Sequence, residues 1–173
     1  MKPLQYILLS TSLCLALTAC GGKDSKGDGA DTIPDSTNVP VENVPKWVDA
    51  DTTVYGAADG FGQSALTFIT TDGRELDLAL STGEANDQLA IVYGDREDTA
   101  RYALTIRSDG ETVGTMLNIS QLEHFLRPAE YEIHNCHLVL KLNGSAELVT
   151  IKKLTDHEFL AVGVSGKEYH LKK

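Results

Sequence analysis

From Thr52 onward the chain is written in short runs that alternate apolar and polar residues and break at turn-forming pairs. Alternation of period two puts every second side chain on one face of an extended strand, so the pattern calls for half-buried strands rather than helices. The runs SALTFIT and RELDLAL flank Thr71-Asp72-Gly73, and Asp-Gly between alternating runs is the strongest short-range signal for a hairpin. In that hairpin Leu66, Phe68, Leu76, Leu78 and Leu80 share the core face. The next runs are QLAIVYG, RYALTIRS and ETVGTMLN, the last two joined across Ser108-Asp109-Gly110. Tyr102, Leu104 and Ile106 alternate with Arg101, Ala103, Thr105 and Arg107, which predicts a strand with one buried and one wet face.

The period changes once. In NISQLEHFLRP, Ile119, Leu122, Phe125 and Leu126 recur at helical spacing, Ser120 can cap with Glu123 three residues on, and Pro128 stops the run. A helix of about two turns is expected there. AEYEIH, CHLVLKL, AELVTIKKL, HEFLAVG and KEYHLKK then return to strand, with Asn143-Gly144 and Ser165-Gly166 as turns. The expected fold is all-β: an antiparallel meander of about ten strands with one short helix, closed or half-open as a barrel, or else a two-sheet sandwich.

The N-terminal end has a different character. Lys2 is followed by a stretch without charge through Ala19, too short for a comfortable membrane span and built like a secretory signal. Leu17, Thr18, Ala19 and Cys20 resemble the bacterial lipobox, in which the signal is cut before the cysteine and the thiol is acylated. The resemblance implies a signal peptide over residues 1–19 and a lipid anchor at Cys20 that holds the chain to a membrane. Gly21 follows the cysteine, where an aspartate would mark inner-membrane retention, so the outer membrane of a bacterial envelope is the expected address. Residues 20–46 are rich in glycine, proline, aspartate and serine and read as a tether; residues 47–173 form one β-rich domain.

With Cys14 in the signal and Cys20 lipidated, Cys136 has no partner for an intramolecular disulfide and is expected to be a buried small apolar residue. The formal charge of −10 becomes about −11 once Lys2 leaves with the signal, which disfavours binding to phosphates, and nucleic acid is set aside.

The final third carries a second resemblance. Ile151 to Leu160, IKKLTDHEFL, followed by Tyr169 to Lys172, YHLK, is similar to the closing strands of the small lipocalin-like lipoproteins common in Bacteroidetes, and MLNISQLEHFL resembles the short helical segment that precedes them. The match covers about the last 60 residues and implies a lipocalin-like barrel. The chain departs from it at the start, where Trp47 stands in PKWVDA without the preceding glycine of the first lipocalin strand.

No motif announces catalysis. The segment HNCH, His134 to His137, holds the densest set of metal-ligand types, but on one strand His134 and Cys136 face one side and His137 the other, short of the three or four ligands that zinc takes. Asp95, Glu97 and Asp98 in YGDREDTA lack the alternate spacing of a calcium loop and read as a solvated turn. Ser165 lies between glycines that read as a hairpin turn, without a nucleophile elbow. Glu75 and Asp77 face water opposite the leucines. Three triplets, at Thr32, Thr52 and Thr99, resemble the Asp-Thr-apolar sequon for O-glycosylation, Thr32 in the tether being the most accessible.

The expectation is therefore a non-enzymatic, lipid-anchored envelope protein without metal or cofactor. It binds a small apolar ligand or surface component in a cavity lined by Phe68, Leu78, Tyr102, Leu104 and Leu140, or else serves as an accessory subunit docking on another envelope protein.

Overall fold

The computed structural model describes residues 46–83 and 88–173. Among them the chain is all-β, with two sheets and one short helix. The first sheet has six strands: β1 (Val54–Phe61), β2 (Ala65–Thr70), β3 (Glu75–Ala79), β4 (Ile91–Tyr93), β5 (Arg101–Ile106) and β6 (Val113–Asn118), in the order β3-β2-β1-β5-β6-β4. The second is a plain antiparallel meander, β7 (Tyr131–His134), β8 (His137–Leu142), β9 (Ser145–Leu154), β10 (Glu158–Gly163) and β11 (Glu168–Lys172). The turns read from the sequence are all used: Gly73, Gly110, Gly144 and Gly166 each take a positive φ between paired segments.

The six-stranded sheet departs from a meander at β4, which pairs in parallel with β6 instead of following β3. Arg107 explains how the crossing segment is held, since its guanidinium donates to the Gln88 side chain at 3.1 Å and to the Gln88 and Leu89 carbonyls at 2.9 and 3.3 Å. The sheet curls until Ala79, at the end of β3, bridges Thr112 beside the start of β6. One bridge does not close a barrel, and the result is half-open.

The curled sheet fills its own interior. Leu66, Phe68, Leu78 and Leu80 meet Ala58, Tyr102, Leu104, Val113 and Met116 in one apolar cluster. A second cluster lies between the sheets, where Leu138, Leu140, Val149, Ile151, Phe159 and Ala161 of the meander meet Ala103, Leu117 and the helix residues Ile119 and Leu122. Ala103 thus faces the second sheet and is fully buried, so the face of β5 expected to be wet is wet only toward its ends. Burial on both faces makes β5 and β6 the shared wall of the two clusters.

The helix α1 (Ile119–Leu122) is a single turn rather than two. Its cap is Asn118, whose carboxamide oxygen accepts the Gln121 N–H at 3.0 Å, and not Ser120, which accepts the Arg101 N–H at 2.9 Å. Beyond Leu122 the chain tightens: the His124 and Phe125 amides reach only three residues back, and Leu126 still arrives in the core.

One buried carboxylate fixes the end of the meander. Glu147 is only 5% exposed, with Oε1 accepting the Ser165 N–H at 2.7 Å and Oε2 the Tyr169 hydroxyl at 2.6 Å. Burial pushes its carboxyl up, yet these bonds outweigh burial and hold it below the usual range. The carboxylate lies against Gly163, where a Cβ would stand 2.3 Å from Cδ. Two outcomes are expected. Gly163→Ala lowers the urea midpoint, because the carboxylate cannot yield without leaving its donors. Glu147→Gln costs about 1–2 kcal/mol at neutral pH. The lowered folded-state pKa supplies stability that is fully present above the unfolded value and disappears as pH falls through the folded value, so the gap between wild type and variant narrows as pH falls below the ordinary carboxylate range in urea titrations.

Candidate functional site

The outer face of the six-stranded sheet carries an apolar groove of about 620 Å³. On this face β1 sets the small Ala57 between its cross-strand partners Ile69 and Arg101: Gly56 and Ala57 floor the groove, Ile69 and Thr71 form one wall, and Tyr55, Arg101 and Ile119 the others. Gly56 admits no Cβ, which would stand 2.1 Å from the Ile69 carbonyl oxygen and 2.8 Å from the Phe68 ring. Arg101 sits at the rim, its guanidinium bonded to Glu123. Glu123 also accepts the Tyr131 hydroxyl at 2.9 Å. Burial and the neighbouring carboxylate push the Tyr131 phenol up to about 12, so it stays a donor.

The five residues expected to line one cavity do not do so. Phe68, Leu78, Tyr102 and Leu104 belong to the interior of the curled sheet and Leu140 to the cluster between the sheets. The reason is curvature: the sheet bends tightly enough for these side chains to pack on one another, and Phe68, Tyr102 and Leu104 have no exposed surface. Tyr102 also borders the outer groove, and Leu78 borders a separate hollow of about 320 Å³.

Polar groups gather at the other side of Tyr102. Its hydroxyl accepts the Glu97 N–H at 2.8 Å and lies 3.0 and 3.1 Å from the Asp95 and Glu97 carbonyl oxygens, while the Asn118 amide donates to the Asp95 carbonyl at 3.0 Å. Burial raises the phenol, so it remains protonated and can donate to those carbonyls. Carboxylate oxygens of Asp95, Glu97 and Asp156 come within 4.8 Å of one another. Gln121, 1% exposed, fills their midst: its Nε2 lies 2.7 Å from Asp95, 3.2 Å from Asp156 and 3.4 Å from Glu97, while its Oε1 accepts the Asp95 N–H at 2.8 Å. The amide hydrogens supply the positive end that three acids need. Asp98 stands apart and accepts the Phe61 N–H at 3.0 Å.

The HNCH segment is a hairpin turn, not one strand. Asn135 and Cys136 take φ of 48° and 59°, so His134 and His137 become cross-strand partners on one face instead of opposite faces, and Trp47 stacks on both at 4.3 and 6.0 Å. Cys136 is buried, as expected, and burial pushes its thiol up to about 12. Thr52 gives its hydroxyl to Asn135 at 2.8 Å. Cys20 and Thr32 lie outside the described residues. No helix among the described residues is long and apolar enough to cross a membrane.

Comparison with family models, with curated proteins and with solved structures gave no match.

Two outcomes follow from this geometry. Asn118→Ala removes the helix cap and a bond to the 94–98 loop together, and a loss of about 1–3 kcal/mol is expected in denaturant titrations. A maleimide probe should leave the Cys136 peptide unlabelled in the native chain and modify it in urea, as peptide mass mapping would read.

Proposed function

We propose that this protein is a non-enzymatic binding module held at the bacterial envelope by a lipid on Cys20, and that it takes a small apolar ligand in the groove over Gly56 and Ala57. The observation that carries the reading is the groove. Its volume, about 620 Å³, falls in the range of small-molecule sites, and its walls are apolar with one cation at the rim. The site lies on the outer face of the sheet, since the interior is filled by side chains. A binding rather than catalytic role is supported by how the reactive groups are occupied. The three gathered carboxylates are bonded to Gln121, and the Cys136 thiol is buried and held in its neutral form. The lipobox resemblance at Leu17 to Cys20 and the composition of the following tether support the anchor.

Cys20→Ala should abolish incorporation of radiolabelled palmitate and release the chain from the membrane fraction; undiminished labelling would remove the anchor. For the groove, the full chain in lipid nanodiscs is exposed to an apolar diazirine photoprobe and the labelled peptides are mapped. Label is expected on Tyr55, Ile69 and Thr71 and should be lost in Ala57→Phe, which fills the floor, while label on exposed Val164 persists. Equal labelling of both chains at the groove would count against the reading.

A further inference from the structure

Among the described residues the outer edge of β11 is unpaired, since β11 closes the five-stranded sheet and bonds only β10. The ladder is phased by the Gly163 N–H donating to Lys167 at 2.8 Å and the Lys173 N–H to His157 at 3.1 Å, with no register shift between them. In an antiparallel ladder bonded and non-bonded pairs alternate. Tyr169 and Leu171 therefore bond inward, and Glu168, His170 and Lys172 turn their N–H and C=O groups away from β10.

We infer that this edge is an interface for a second copy of the same chain, joined β11 to β11 in antiparallel register about a two-fold axis at His170. The argument is charge order. In the register that overlaps the two strands completely, Glu168 of each copy stands opposite Lys172 of the other, and Tyr169 opposite Leu171. The outward main-chain groups of Glu168 then meet those of Lys172 and those of His170 meet each other, so each of these pairs exchanges two main-chain bonds and the ladder continues from one sheet into the next. The half-buried Tyr169 and Leu171, which pack against the cluster between the sheets, gain cover on the core side. Sliding the pair toward the C-terminal end sets His170 against Lys172 and shortens the overlap.

Charged residues on a sheet edge ordinarily oppose strand addition. Here their order removes the opposition for one partner. The edge strand β3 makes the contrast: self-paired in the same way, it would set Asp77 against Asp77 with Glu75 beside it and no cation on the strand. Strand pairing of this length gives a weak, reversible dimer.

Sedimentation of the full chain, with density-matched detergent, tests the inference. Reversible dimerisation is expected, weakened at least about tenfold by Glu168→Lys and by Lys172→Glu, each of which sets like charges opposite one another. The double variant Glu168→Lys/Lys172→Glu should restore it. Circular dichroism checks each fold, because Lys172 also lies 3.7 Å from Glu158. His170→Pro provides a second route: its N–H points away from β10, so no main-chain bond within the sheet is lost while the bonds at the axis are, and circular dichroism again checks the fold because the His170 ring also leaves Glu158, 2.6 Å away. Amide exchange at Glu168, His170 and Lys172 should slow as concentration rises. A monomer at every concentration, a dimer indifferent to the single variants, or single losses without rescue in the double variant would each overturn the inference. So would amides protected in native membranes while the purified chain stays monomeric, which would assign the edge to a different protein.

Discussion

The phenol of Tyr102 is where the structure is pinned together. Its ring is fully buried inside the curled sheet, and its hydroxyl emerges where the 94–98 loop crosses, with the Glu97 amide and the Asp95 and Glu97 carbonyls around it. A buried hydroxyl without partners would be costly, and a loop without main-chain partners would be mobile. Each answers the other. Asn118 extends the arrangement by capping α1 with its oxygen and holding the loop with its nitrogen, and Gln121 carries it to Asp156 in the turn between β9 and β10. Gly94 shows how tight the joint is, since a Cβ there would stand 2.6 Å from Asn118 and 2.7 Å from the Gln121 oxygen, at a φ of 95°. The two sheets are thus joined by apolar packing through β5 and β6 and by polar contacts beside it, this polar chain and the Arg101–Glu123–Tyr131 set among them.

Much of this fold was legible because alternation and turn chemistry report on the same strands. Asp72-Gly73, Asp109-Gly110 and Asn143-Gly144 each supply a backbone that twists as hairpins twist, and the runs beside them bury the residues their period selects. β1 was not legible. Its sequence, VYGAADGF, has glycine and alanine where other strands carry large residues, and a bulge between Ala58 and Gly60 breaks the period. The place of β4 is not legible for a different reason, since periodicity identifies a strand without its partner, and the segment leading into the parallel pairing with β6 is held by the distant Arg107.

The same distinction applies to the sites. The expected lining residues are inward and apolar, which in a tightly curled sheet describes the packed core, and Phe68 and Leu104 are core. The groove instead lies over Ala57, set between Ile69 and Arg101, and the small size of that residue is a property hydrophobicity does not register. Asp95 and Glu97 were visible as an acidic loop, but Asp156 and Gln121 meet them only through the fold. The HNCH turn shows the reverse, where ligand types crowded in sequence become two histidines beneath a tryptophan.

Groove and edge use different parts of the chain. The groove draws on β1, β2, β5 and α1, while the open edge belongs to β11, and no residue serves both. Joining two copies through β11 therefore leaves both grooves intact, and a lipid at Cys20 would favour the pairing by confining the copies to one plane, where a weak strand-to-strand contact meets a high local concentration. Net charge acts the other way. Two chains that each carry a formal charge of −10 repel, so the two Glu168–Lys172 contacts must work against that field. Salt screens both terms, but repulsion between whole domains acts over longer distances and is screened more completely than opposed side chains in contact. On the inferred pairing, the acidic surface opposes contact between copies in general while the order of Glu168 and Lys172 favours the contact that continues the ladder.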